Sequence, residues 1–283
     1  MRITFLTSAF ENVAGYWRSF YLGKHLAARG HTVYMFAQGS SIRATSKVVD
    51  DVQIYLLPSF SSGLTLNKTT AAMSMPLQIG FNALSSIISK TSVLHVFDAL
   101  FPQNAISVLL SKIRPRKIRP LVFVDWDDWW GRGGILDAFH KDLGPLIIRF
   151  LTFMEEKIPL YGDAVTITNE TLRKRALSVG VKPEKIFILP NGTNIRSDNY
   201  VETQTARKLV NLPKNAIIYT CNKSSFDSIK PYDDPLWDLL LAHKIVVKAF
   251  PDAFLCFLGR GSEKCLAVAK EFTMDKNVIS IGW

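Results

Sequence analysis

Asp125, Asp127 and Asp128 lie close together in a run, Asp125 to Gly134, that also holds Trp126, Trp129 and Trp130. The apolar segment just before it, Pro120 to Val124, predicts a strand, so the carboxylates are expected at the carboxyl edge of a sheet, where open α/β folds bind ligands. A carboxylate there can accept a hydrogen bond from a ligand hydroxyl or take up its proton. The tryptophans can stack on a ligand ring or rest at a membrane surface. The competing reading is a polar loop with Trp129 or Trp130 anchoring the core. Three further places carry polar groups suited to a site. Gly15, at the start of a predicted helix, lets a helix N-terminus approach an anion closely, with Arg18 one turn on. Asn191 and Gly192 follow a strand stopped by Pro190. His95 sits inside the apolar run Val93 to Phe97 and reads as a satisfied core histidine rather than a base, with Asp98 at the strand's exit.

These groups need a scaffold, and the bulk numbers allow one. At 283 residues with 48% apolar content, the chain is long enough for two globular domains. Lys and Arg number 34 against 24 Asp and Glu, a formal balance of +10 that favours anionic partners. No basic run interleaved with aromatics marks a nucleic-acid surface, so no nucleic acid is expected. Cys221, Cys256 and Cys265 are far apart and read as free thiols, which implies a reducing, cytoplasmic compartment. No spacing suggests a metal site. Met1 to Phe10 reads as a first strand, not a signal peptide.

The elements alternate. Ile3 to Ser8 is a predicted strand, and 15–28 a helix whose Tyr16, Phe20, Leu22, Gly23, Leu26 and Ala27 share one face, with Arg18, His25 and Arg29 on a polar stripe opposite. Strands follow at 32–37, 52–57, 93–97, 120–124, 162–169 and 186–189. Helical segments are predicted at 75–90, 102–112, 143–159 and 170–179. Residues 38–52 read as polar connection, and 59–70 as a mobile loop. Apolar strands separated by helices predict a parallel sheet covered on both faces. The polar stretch 195–213 lacks periodicity and reads as a linker. Strands at 216–221, 253–258 and 277–283 then alternate with two more helices.

The segment Pro183-Glu-Lys-Ile-Phe-Ile-Leu-Pro-Asn-Gly192, with the strand and helix before it, resembles the end of the first domain in family 4 glycosyltransferases of the GT-B fold. Ala14-Gly15 with Arg18 is similar to that family's glycine loop, usually a Gly-Gly pair. Phe257-Leu-Gly-Arg-Gly-Ser262 is similar to its apolar strand ending in Gly-x-Gly. The resemblance implies an α/β protein of two Rossmann-like domains: 1–194 on the acceptor side, a linker 195–213, and 214–283 on the donor side. It implies transfer of a sugar from a nucleotide-diphosphate sugar to a glycan or lipid-linked acceptor in a cleft between the domains. No cofactor is implied beyond that co-substrate. Asp125 and Asp127 are then the expected catalytic groups, and Gly15, Arg18, Asp128, Asn191 and Gly192 the substrate-binding ones. Where relatives carry a Gly-Arg pair and a Lys-Gly, this chain reads Cys221-Asn-Lys223 and Lys230-Pro231. Lys223 and Lys230, with Gly259 and Gly261, are therefore expected to hold the donor diphosphate.

The family's Glu-x7-Glu segment, which binds the nucleotide ribose and the sugar, would follow the strand at 277–283. Its absence makes the second domain incomplete, and about 70 residues form a marginal core. A truncated enzyme, or one completed by a second polypeptide, is the expectation. The alternative is a non-catalytic binding or assembly protein that keeps the first domain. A Rossmann-type oxidoreductase is disfavoured because no dinucleotide fingerprint is present. The basic balance and a lipid-linked acceptor imply peripheral contact with the inner face of an anionic membrane.

Overall fold

A computed structural model describes residues 1–11, 14–59, 76–83, 90–139, 143–192, 201–226 and 235–282. The predicted loop at 60–70 and Lys230 lie outside the described residues. The chain divides into two compact units, Met1–Thr193 and Asn194–Trp283.

The first unit is built on strands β1 (Arg2–Phe10), β2 (Thr32–Gln38), β3 (Thr45–Val49), β4 (Val52–Leu57), β5 (Val93–Val96), β6 (Leu121–Trp126), β7 (Ala164–Ile167) and β8 (Ile186–Ile188). They form one eight-stranded sheet in the order β3-β4-β2-β1-β5-β6-β7-β8. All pairs are parallel except β3 with β4. The chain winds outward from β1 through β2 and β4, then returns to β5 beside β1 and winds the other way. Ligands of open α/β sheets bind outside the strand ends at such a reversal.

The helices are α1 (Ala14–Ala27), α2 (residues 76–83), α3 (Pro102–Ile113), α4 (Ile135–Phe139), α5 (Pro145–Lys157) and α6 (Glu170–Ser178). Register fixes which strand residues share a face. Phe5 lies level with Met35 and His95, and His95 with Phe123. With the two-residue period of a strand, Asp125 therefore shares their face. The α1 side chains Tyr16, Phe20 and Ala27 pack there against Ile3, Phe5, Val33, Met35 and Ile54. A Cβ on Gly23 would stand 3.3 Å from both Phe5 and Val33, so α1 lies close on the sheet. The opposite face, with Leu6, Leu94, Val96, Val122 and Val124, is covered by Ala105 and Val108 of α3 and by Ile158 just after α5. Burial on both faces explains the continuous apolar strands.

Two sequence expectations change. Residues 38–52 are not plain connection: Thr45–Val49 forms β3, antiparallel to β4 through Asp50 and Asp51, both at positive φ. Every β3 residue is exposed, so an edge strand there left no apolar signature. The Pro-Asn-Gly turn after β8 does not use positive φ at Asn191 or Gly192. Pro190, which lacks a donor, ends the pairing.

The second unit holds β9 (Ile217–Ser225), α8 (Pro235–Ala249), β10 (Ala253–Arg260), α9 (Glu263–Glu271) and β11 (Val278–Ile281), with the parallel sheet order β11-β10-β9. Leu236, Leu240, Leu255, Phe257 and Cys265 form its core. Within the span expected as linker, Thr203–Leu209 is a helix, α7. The Glu202 side chain caps it, accepting N–H bonds from Gln204 and Thr205 at 2.8 and 3.0 Å. No residue of α7 is buried, so it carried no apolar period to read. Strand β9 also runs on through Asn222 and Lys223, beyond the end expected at Cys221.

Gly259 shows why a glycine is required in β10. Its φ is +145°, and a Cβ would stand 1.8 Å from the Lys223 carbonyl oxygen. This close approach of two strands accounts for the residue without a ligand. Gly259→Ala is expected to destabilise the second unit by roughly 3 kcal/mol. The check is amide hydrogen exchange: protection in β9 and β10 should drop while that of β1, β5 and β6 stays unchanged.

Candidate functional site

The polar residues of the first unit gather at the carboxyl edge of its sheet. Arg18, on the first turns of α1, reaches Asp125 at the end of β6. The guanidinium donates Nε–H to Asp125 Oδ2 at 2.8 Å and Nη2–H to Oδ1 at 2.9 Å. Both side chains are buried, at 5% and 1% exposure. The same guanidinium donates to Asn191 Oδ1 at 2.7 Å and to the Leu189 carbonyl at 3.0 Å. Thr166, level with Asp125 on β7, donates its hydroxyl to Oδ1. His95 Nε2 lies 3.0 Å from the Thr166 hydroxyl and 3.7 Å from Asp125 Oδ1. The ring stacks on Phe97 at 4.5 Å and meets Phe5 edge-on, as a satisfied core histidine should. Arg18 is thus not on an exposed polar stripe: near the N-terminus of α1 its side chain turns over the sheet edge onto Asp125.

Burial alone would push the Asp125 carboxyl up, but the His95 ring and the Arg18 guanidinium hold it below the usual carboxylate range. Arg18 is correspondingly raised: burial works against its charge and Asp125 outweighs it. Asp98 and Asp127 stand in the opposite condition. Burial pushes Asp98 to about 6, opposed by the Ser8 hydroxyl and reinforced by Asp125. Burial, then the charges of Asp98, Asp125 and Asp128, push Asp127 to about 8. Burial also raises Asp128, which is exposed at the rim. Asp98 accepts hydroxyl bonds from Ser8 at 3.0 Å and Thr7 at 3.4 Å, and it takes a positive φ of 51°. Such strained backbone is common where structure serves a site. Gly15 faces this carboxyl: a Cβ there would lie 3.7 Å from Asp98 Oδ2 and 3.2 Å from the Ala9 Cβ.

The aspartate run is held from below by Glu155, a buried residue of α5 that sequence reading did not single out. Its carboxylate accepts from the Trp130 and Gly131 amides at 2.7 and 2.9 Å and from the Trp126 indole at 3.0 Å. A Cβ on Gly131 would meet Glu155 Oε2 at 2.5 Å. The signal was present: Glu155 follows Leu151 by four residues on the inward face of an amphipathic helix. The tryptophans are mainly structural. Trp126 packs with Val165 and Ile167, Trp129 packs against that cluster under the Arg175 guanidinium at 4.1 Å, and Trp130 lies against Leu100 and Leu136. The Thr168 hydroxyl fixes the Asp127 carbonyl at 2.8 Å. A small pocket here is lined by Asp98, Leu100, Asp125, Asp127, Trp130 and Glu155. Among the described residues the Trp130 indole N–H finds no acceptor.

The structure therefore brings Gly15, Arg18, Asp125, Asp127, Asp128 and Asn191 to one sheet edge. Gly192 follows them, exposed, with open space around its α-carbon. In the second unit, Lys223 lies in β9 with its ammonium 5.7 Å from the Phe226 ring centre. Gly261, at φ +73°, stands just before Ser262 at the start of α9, and the Ser262 hydroxyl pairs with that of Ser280 at 2.8 Å. Among the described residues no three His, Cys, Asp or Glu side chains converge to hold a metal ion, and no helix is long and apolar enough to cross a membrane.

Comparison with known proteins follows the same lines. The sequence profile described as Glycosyltransferase Family 4 matches residues 18–197. No curated protein sequence matches the chain. Among solved structures, sucrose-phosphate synthase from Thermosynechococcus elongatus superposes with a TM-score of 0.66 at 16% identity, over 99% of this chain and 70% of that one. The catalytic domain of starch synthase IV from Arabidopsis thaliana, bound to ADP and acarbose, gives 0.64 at 12% identity, over 100% and 74%. WaaG, a glycosyltransferase involved in lipopolysaccharide biosynthesis, gives 0.59 at 13% identity, over 99% and 70%. At these identities the likeness is one of fold: two Rossmann-like units of GT-B type.

Two predictions follow from the site. Asp125→Asn leaves the Arg18 charge buried with a neutral partner and should cost about 3–5 kcal/mol, read by urea titration. Asp127 behaves oppositely. Its folded pKa is raised, so the folded state holds a proton that the unfolded state releases, and stability falls as pH rises from about 4 to about 8. Asp127→Asn should match the parent at pH 4 and exceed it at pH 8. A parent chain with equal stability at both pH values would contradict the arrangement.

Proposed function

Since the chain belongs to glycosyltransferase family 4, we propose that it moves a sugar from a nucleotide-diphosphate sugar to a glycan or lipid-linked acceptor, as a step in polysaccharide or glycolipid assembly. The carrying observation is the juxtaposition, one strand from the point where the sheet order reverses, of a low-pKa aspartate locked to Arg18 and a high-pKa aspartate, Asp127, at the rim. Starch synthase IV holds ADP, and HepE from Anabaena has been solved with UDP-glucose; the donor class proposed here rests on that kinship. The donor is a co-substrate, and no resident cofactor enters the scheme.

In this reading the acceptor hydroxyl approaches Asp127. Its oxygen forms a bond to the anomeric carbon while the bond from that carbon to the diphosphate oxygen breaks. The electron pair leaves with the nucleoside diphosphate, and Asp127 receives the hydroxyl proton. A carboxylate with a pKa near 8 is a far stronger base than an ordinary one, and its tuning suits work near neutral pH. Asp125 is then a positioning residue: its oxygens are taken by Arg18 and Thr166, and it holds α1 in place. Gly15, at the head of α1, and the Trp130 indole N–H supply donors for ligand oxygens. Asp128 and Asn191 line the rim beside Gly192. For the leaving diphosphate, Lys223, Lys230 and the backbone around Gly261 remain the candidate partners in the second unit; Gly259 is explained by strand packing alone. The +10 balance supports peripheral contact with an anionic membrane on the cytoplasmic side.

The test is calorimetric titration with nucleotide-diphosphate sugars, followed by turnover of the donor that binds. Asp127→Asn should keep donor affinity and lower kcat by about 10²–10⁴-fold. The parent's kcat/KM should rise with pH toward a plateau above about 8, and the variant's residual profile should be flat. If no nucleotide sugar binds, the chain is a binding or assembly protein, not a transferase.

A further inference from the structure

A helix that packs on a sheet ordinarily has one apolar stripe; α5 has two. Ile148, Leu151, Met154 and the following Ile158 face the unit's interior. On the other side, Leu146, Phe150 and Phe153 fall at the i, i+4, i+7 spacing that aligns side chains along one face, and they are 82%, 48% and 55% exposed. Arg149 and Lys157 fall on that same outward face at helical spacing. At the far end of the helix the turn between α3 and β6 adds Ile113 and Ile118, 79% and 58% exposed, interleaved with Arg116 and Lys117. That turn is tied to the segment that follows α5. Lys112 and Arg119 both pair with Asp163, just beyond the 3-10 turn that follows α5, at 2.7 and 3.4 Å. Single exposed apolar side chains are ordinary, but a contiguous row of large ones rimmed by cations is a contact surface.

We infer that the outward face of α5, with the Ile113–Ile118 turn, is the surface by which this protein lies on an anionic phospholipid bilayer. The argument for lipid over another occupant is the chemistry of the rim. Large aliphatic and aromatic side chains with Arg and Lys on the same face match an interfacial helix, whose apolar side enters the acyl boundary while its cations meet phosphate headgroups. The 13-residue helix is too short to span a bilayer and can only lie along it. This surface lies on the sheet face opposite α1. The inference rests on the membrane contact proposed above and gives it a location.

The experiment is sedimentation of the full chain with phosphatidylcholine vesicles, with and without phosphatidylglycerol, comparing the parent with Leu146→Gln/Phe150→Gln/Phe153→Gln and with Phe150→Gln alone. All three side chains are exposed, so thermal midpoints should match the parent's. The parent should pellet with the anionic vesicles and less with the neutral ones. The triple variant should partition at least about tenfold more weakly, the single variant between the two. A parent that binds neither vesicle, or a triple variant that binds like the parent, overturns the assignment. So does a parent that is dimeric in ultracentrifugation, becomes monomeric in the triple variant and ignores lipid. Calorimetry with nucleotide sugars on the same samples separates this from the catalytic reading. Vesicle binding without donor binding sinks only the transferase; donor binding without vesicle binding sinks only this surface.

Discussion

The buried ion pair of Arg18 and Asp125 is the constraint on which the polar carboxyl edge of the first unit's sheet depends. Removing two charges from water is expensive, and the attraction between them repays it only when geometry is good and the spare donors and acceptors are filled. Here the pairing is two-pronged and each partner makes further bonds. Arg18 also donates to Asn191 and Leu189, and Asp125 also accepts from Thr166. The consequence is topological. One guanidinium joins the first helix, the sixth strand and the segment leaving the eighth, across the carboxyl edge from the order reversal to the outermost strand. No backbone pairing does this, because neighbouring parallel strands bond only to each other.

The same edge sets carboxylates of one chemical kind apart in pKa. Asp125 sits beside the Arg18 guanidinium and the Thr166 hydroxyl and stays ionised. Asp127, two residues on, sits among other carboxylates with little to offset its burial, and its pKa rises to about 8. Environments that drive two acids apart in this way are how a single fold assigns one residue to hold and another to exchange a proton. Glu155 makes the separation possible. By taking up the Trp130 and Gly131 amides it fixes the loop on which Asp127 stands, so that Asp127 does not relax into water. The aromatic residues of the loop hold its shape beneath the polar rim.

The outward stripe of α5 belongs to the same economy of surfaces. The helix positions the site from within through Glu155 and presents Leu146, Phe150 and Phe153 without. Inner and outer faces interleave along 13 residues, so contact at the outer face acts on an element rigidly joined to the aspartate loop.

Most strands and helices could be placed from the sequence, because apolar periodicity follows directly from which side of a strand or helix is covered. The parallel sheet was readable for the same reason: Val93–Val96 and Ala164–Ile167 are apolar at every position save His95 and Thr166, as strands buried on both faces must be. Where an element buries nothing, the signal vanished, as in β3 and α7. The aspartates, Gly15 and Arg18 stood out by residue type and by their place after a strand or at a helix start. What the sequence could not contain was who meets whom. Arg18 and Asp125 are more than a hundred residues apart, and only the winding order of the sheet brings their strand ends together. Asp125 was legible as a candidate, but not that Arg18 and Thr166 bond its oxygens; only register sets Thr166 level with it. Local pattern fixes local structure because it reflects which surfaces leave water, whereas ionisation and pairing depend on neighbours distant in the chain.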